Sequence, residues 1–427
     1  MRTFIAPLVA TALVLQATTA FPYPLDGAEE TGIHRLEAFD LAQEPLLKQG
    51  RLVAGSLWPS EQVKLRLIDQ PGFSAPPPDP ELQATVRALL GSDAPAYGVA
   101  ILDLSDPTKP RYAEHNPNMV QNPASVGKLM VAIAFFQGLA DVYPDDVAAR
   151  KRTLRDTVVT ANEFIVKDHH EVPIWKPGDS KVQSRPIALG EQANLYTYLD
   201  WMFSSSSSAA ASQLMEQMLL LMHFGSDYPA PPEASTAYIE ATAKATLGST
   251  FQAAMRSSIE RNGLDWNKLR QGSFFTRTGK AKVPGTNSLA TARQLTLLLT
   301  RLEQGKVVDP WSSLEIKRLL YLTDWRSRYA SAPALRDAAV YFKSGSLYGC
   351  KEEAGFTCEK FMGNRMNYMN SVIIVEEEQD GRRLHYIVAL LSNVLKKNSA
   401  EAHQALGNRI HELMRAAHEP EGAGAPQ

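Results

Sequence analysis

The sequence predicts an α+β fold, with a helical body packed against an antiparallel sheet that both ends of the main domain help to build. Three observations carry this. Residues 79–90 have apolar positions at helical spacing, Leu82, Val86 and Leu89, and are followed by a β-rich run over 97–104. Near the other end, two apolar runs at 371–375 and 384–391 are joined by a polar turn with Asp380 and Gly381, and an amphipathic stretch follows at 400–414. Between them, 128–302 reads as mainly helical. A sheet made from the two ends with helices in the middle, whether two-layered or three-layered, is more economical than an alternating βαβ series.

The elements follow in order. Arg2, an apolar run from Phe4 to Leu15 and small residues up to Ala20 form the pattern of a cleavable secretory signal over 1–20, so the protein is expected in a bacterial periplasm or outside the cell. The run is short for a bilayer, and no later segment is long and uncharged enough to serve as an anchor. Residues 21–78 form an N-terminal extension, with helix expected around 36–47 and a strand over the alternating stretch 63–68. Prolines 71, 76, 77, 78 and 80 with Gly72 read as a linker, the main domain spans 79–417, and 418–427 is a flexible tail.

With 427 residues, 44% of them hydrophobic, the chain has ample material for a packed core. A formal net charge of −2 provides no field to gather nucleic acid or anionic lipid. Cys350 and Cys358, the only cysteines, suit one disulfide across a short loop in an oxidising compartment, with two free thiols as the alternative. They do not make a zinc site without a nearby histidine.

The chemistry begins at Ser125 and Lys128, followed by the apolar run 129–134 of a buried helix. A serine at a helix start has unpaired N–H groups nearby that favour negative charge, and a lysine three residues on returns to its face. Desolvation lowers such a lysine's pKa and frees its amine to act as a base. A capping serine is the plainer reading of Ser125 taken alone. The serines at 204–208, between helical segments 191–203 and 209–221, form a structured loop whose hydroxyl could relay a proton. Third comes Lys343, Ser344, Gly345 and Ser346 after an apolar strand, offering a cation, hydroxyls and a strand edge for an extended substrate.

These three elements in this order resemble the Ser-x-x-Lys, Ser-Asp-Asn and Lys-Thr-Gly set of class A β-lactamases and penicillin-binding proteins, over about 79–414. The resemblance implies a β-lactamase or transpeptidase-like fold. It makes Ser125 the acylated nucleophile, Lys128 the proton acceptor, and Ser206 the proton shuttle, with Ser205 the alternative. Lys343, Ser344, Gly345 and Ser346 become the substrate site, joined by Ser208, and the N–H groups of Ser125 and Ser346 the oxyanion hole. No metal or cofactor is implied. The substrate is expected to be a β-lactam, a peptidoglycan-derived D-Ala-D-Ala-like peptide, or a related amide or ester with a carboxylate near the scissile bond.

Two departures qualify this. Ser207 and Ser208 stand where the family has Asp and Asn. No acidic residue occurs between Asn267 and Ser288, where class A enzymes carry a water-activating glutamate before a helix like the one beginning at Thr291; Asn267 is the nearest counterpart. These departures favour a peptidase, amidase or esterase over an efficient resistance enzyme, and leave a non-hydrolytic or slowly deacylating binding protein as the alternative. His169, His170 and Glu171 are read as a polar loop, since adjacent side chains on an extended chain point apart. Arg365 is read as a surface residue, and the Lys-Thr-Gly lookalike at 277–279 as coincidence.

Overall fold

The computed structural model describes residues 24–43, 52–323, 325–379 and 381–418. The expected signal segment, Asp380 of the polar turn and nearly all of the expected tail lie outside them. A five-stranded antiparallel sheet runs, edge to edge, Arg111–His115, Tyr97–Asp103, Arg382–Asn393, Met366–Gln379 and Ala339–Gly349. The first two strands come from the start of the main domain and the other three from its end, as the patterning predicts.

The sheet is covered on both faces, which explains why its inner strands read as continuous apolar runs rather than simple alternations. Period-two geometry sends alternate residues to opposite sides. Ala100, Leu102, Val372, Ile374, Ile387 and Ala389 join the core of the helical body. Val99, Ile101, Ile373, Val375, Val388 and Leu390 instead meet Leu82 and Val86 of Pro80–Leu90, and Leu406, Ile410 and Met414 of Ser399–Ala417. The arrangement is therefore three-layered. Asp79 caps the first of these helices through Glu81 N–H and Leu82 N–H, both at 3.0 Å, and accepts from Arg111 of the edge strand at 2.7 Å.

The described residues before 79 are built into the domain. Ile33, Leu36, Val63 and Leu67 belong to the core of the helical body, and Arg35 pairs with the buried Asp200. The expected strand over 63–68 does not form. Its alternation is real, because Val63, Leu65 and Leu67 are buried, but the Leu67 N–H donates to the Glu303 carbonyl at 3.0 Å, and no strand partner is present among the described residues. The proline-rich stretch is tied down as well: Gln304 Nε2 donates to the carbonyls of Gln70 and Phe73 at 3.2 and 3.0 Å.

Lys128–Val142 is the central helix of the body, packed by Leu195–Phe203, Ser208–Phe224 and Lys244–Arg261. The stretch Ala124–Val142 is long and apolar enough to cross a membrane, but here it is the buried core helix. Cys350 and Cys358 are disulfide-bonded and close the excursion between the last two strands of the sheet order.

Candidate active site

The nucleophile turn is held by its neighbours. Asn122 Oδ1 accepts from Ala124 N–H at 2.8 Å, and Ala124–Gly127 forms a 3-10 turn leading into the Lys128 helix. Asn370 Nδ2 on the sheet donates to Asn122 O at 3.1 Å. Edge strand Ala339–Gly349 lies directly against this turn. A Cβ on Gly345 would fall 2.5 Å from Ser125 N and 2.6 Å from Pro123 O, so only glycine allows the approach.

Three side chains converge in front of Ser125. Lys128 Nζ is 2.8 Å from Ser125 Oγ and donates to Ser206 O at 2.7 Å, with the Phe275 ring beneath it at 4.7 Å. Ser206 Oγ lies 3.4 Å from Lys128 Nζ and 2.8 Å from Lys343 Nζ, bridging the two amines. Of the two serines the sequence left open, Ser206 makes these contacts. Ser205 Oγ is buried without a partner. Ser206 takes φ 58°, a left-handed conformation that turns the loop before Ser207 caps helix Ser208–Phe224.

The missing Asp of the second motif has a substitute from elsewhere in the chain. Asp168 Oδ2 accepts from Ser207 Oγ at 3.0 Å and from Ala209 N–H at 2.8 Å, supplying a carboxylate to the helix start from another loop. Ser208 is half-buried on the cleft wall.

Arg328 was not anticipated. It donates to Ser344 Oγ at 2.7 Å and Ser346 Oγ at 3.1 Å, and lies 5.1 Å from the Phe361 ring centre. No motif surrounds it, and its positive φ of 56° is not visible in the sequence. Arg365 is exposed and does not line the cleft.

Burial governs the electrostatics. It pushes Lys128 down from 10.5 to about 7, with the Arg328 charge adding to the fall and that of Asp168 opposing it. Burial also holds Lys343 well below its ordinary value, helped by the charges of Lys128 and Arg328. Among the described residues, none of these three cations forms an ion pair with a carboxylate of the protein. The cleft in front of them, about 900 Å³, is also lined by His169, His170, Gln271 and Trp325.

Two expectations are corrected. Asn267 is exposed and outside the cleft, because 265–268 turns back toward solvent; Gln271 is the residue of that loop that reaches Gly127, with its Oε1 buried and unpartnered. The rings of His169 and His170 do not point apart but stack at 4.6 Å, because the chain here is bent around Asp168 rather than extended. Asp168, His169 and His170 could present ligand atoms within 4.8 Å of one another. Asp168 Oδ1, however, already accepts from both backbone N–H groups and faces His170 Nδ1, so a cation would have to displace these donors. The 277–279 lookalike lies in the short helix Arg277–Lys282; none of its three residues lines the cleft, although Lys280 of the same helix does.

Residues 239–404 match the sequence model of the β-lactamase enzyme family. A mutant of PBP-A, solved as an acyl-enzyme complex with penicillin G, aligns over 81% of this chain and 100% of its own, with a TM-score of 0.51 and 14% identity. The fold is that of the serine β-lactamase and penicillin-binding-protein superfamily. A β-lactamase from Sphaerobacter thermophilus aligns over 79% of this chain and 97% of its own, with TM-score 0.50 and 16% identity. For the TLA-3 extended-spectrum β-lactamase the shares are 79% and 99%, with TM-score 0.50 and 13% identity. No curated protein matches by sequence. Within this serine β-lactamase and penicillin-binding-protein fold, the cleft between sheet edge and helical body holds Ser125, Lys128, Ser206 and Lys343 together.

Proposed function

We propose that the protein is an exported serine acyl hydrolase that works through an acyl-Ser125 intermediate on a β-lactam or a D-Ala-D-Ala-like amide bearing a carboxylate. The observation that carries this is the fully buried Lys128 amine, 2.8 Å from Ser125 Oγ and joined through Ser206 to Lys343. A neutral Lys128 takes the Ser125 proton as Oγ attacks the carbonyl carbon. The N–H groups of Ser125 and of Ser346 on the edge strand receive the developing oxyanion. Ser206 passes a proton to the departing nitrogen.

The charge pattern supports a carboxylate substrate. Lys128, Lys343 and Arg328 gather without a paired acid among the described residues, so the cleft penalises each positive charge and an anionic ligand relieves that penalty. Arg328 presents a planar fork beside Ser344 and Ser346, suited to bidentate binding. Penicillin G on the PBP-A neighbour is a precedent for acylation by such a ligand.

A slowly deacylating penicillin-binding protein is the second reading, favoured by the lack of any carboxylate over 267–288. Intact mass after incubation with a penicillin, and separately with a fluorophosphonate, tests both. An adduct on the wild type that is absent from Ser125→Ala supports the nucleophile, and its lifetime separates turnover from trapping. No adduct from either reagent overturns the catalytic reading.

A further inference from the structure

We infer that His170, held by Asp168, is the base that activates water to release the acyl group from Ser125. The inference rests on the acyl-enzyme reading above and concerns its second half-reaction. Asp168 joins two walls of the cleft: one carboxylate oxygen binds the start of the Ser208 helix, and the other lies 2.5 Å from His170 Nδ1. A carboxylate so placed keeps the proton on Nδ1 and leaves the Nε2 lone pair free. Nε2 has no protein partner among the described residues. The ring faces the same cleft as Ser125 and Ser206 and is half-buried, with its other orientations restrained by the stack against His169.

Its surroundings suit a base. Burial lowers the His170 pKa, the charges of Lys128 and His169 act in the same direction, and Asp168 opposes them. Glu171, the next acid along, is engaged by Ser184 Oγ at 2.9 Å. The loop over 267–288 offers no carboxylate for this role, and the amide of Gln271 cannot accept the proton.

In the step itself, Nε2 takes a proton from water as the water oxygen bonds to the acyl carbon. The tetrahedral intermediate then breaks its C–Oγ bond, and the imidazolium returns a proton to Ser125 Oγ. The products are the free acid and the regenerated serine, with no other reactant.

The test follows the decay of the penicillin adduct by intact mass in the full protein, for wild type, His170→Ala and His170→Asn. Asparagine keeps a donor for Asp168 and so preserves the loop, but it offers no base. Both variants are expected to acylate and then to hold the adduct about 10²-fold longer or more. Added imidazole should shorten the adduct lifetime in His170→Ala. Wild-type decay in His170→Asn, or a wild-type adduct that never decays, overturns the inference while leaving Ser125 as nucleophile. If the wild type takes up no adduct, the acyl-enzyme reading itself falls, and this inference with it.

Discussion

Two lysines among the described residues are completely buried, and their surroundings differ in one respect. Lys317 Nζ contacts Glu376 Oε1 at 2.6 Å and Glu303 Oε1 at 2.5 Å, and donates to Lys64 O at 2.6 Å. Arg66 completes the cluster through Glu376. Lys128 is equally inaccessible but meets only hydroxyls, a carbonyl and the Phe275 ring. Where acids surround the amine, burial gives an ionic core joining the residues before 79, the Ala292–Glu303 and Pro310–Tyr321 helices and the sheet. Where they are withheld, the same burial makes the charged form costly and prepares a base. The placement of carboxylates, more than depth, separates a structural lysine from a reactive one.

Replacing each lysine by methionine is the strongest attempt to break this contrast. Lys128→Met is expected to slow adduct formation about 10²–10⁴-fold, measured by time-resolved intact mass, while its melting temperature holds or rises. Lys317→Met leaves Glu303 and Glu376 short of a cation and should cost about 3–5 kcal/mol in denaturant unfolding. Equal loss of stability in both variants would sink the distinction.

Titration sharpens it, because the two sites respond in separate pH windows. Acylation should rise with pH through about 7, as Lys128 becomes neutral. The unfolded chain keeps that proton up to 10.5, so the stability cost of burying Lys128 is full below about 7 and is relieved as pH climbs toward 10.5. Burial opposes ionisation of Glu303, but Lys317, His385 and the Arg66 N–H outweigh it and hold the carboxyl at about 2, down from 4.5. Its contribution is present above 4.5 and is lost as pH falls toward 2, which unfolding followed across that window checks.

Smaller effects probe the rim of the cleft. Arg328→Ala is expected to raise KM for a carboxylate substrate roughly 10- to 100-fold, matching a charged hydrogen bond of about 1.5–3 kcal/mol. Labelling by a fluorophosphonate, which lacks the carboxylate, should fall much less. The smallest change belongs to Ser205→Ala, within about 0.5 kcal/mol in stability, since its buried hydroxyl has no partner to lose. Ser206→Ala should slow acylation, and a reversal of these two serine results would move the relay to position 205.

By itself the sequence determined the helix over 79–90, the strands at 97–104, 371–375 and 384–391, the apolar helix behind Ser125 and the order of the three motifs. Each of these depends on spacing within a few residues, which local geometry turns directly into a helix face or a strand side. Only the tertiary structure decided that Arg328 reaches Ser344 and Ser346, that Asp168 serves the helix start in place of an Asp at position 207, and that residues 63–68 form no strand. Arg328 lies in no motif, and the Asp168 partners stand about forty positions away in the chain. Local periodicity carries no record of such contacts, because they arise when separate segments are brought to one cleft by the burial of the apolar faces between them.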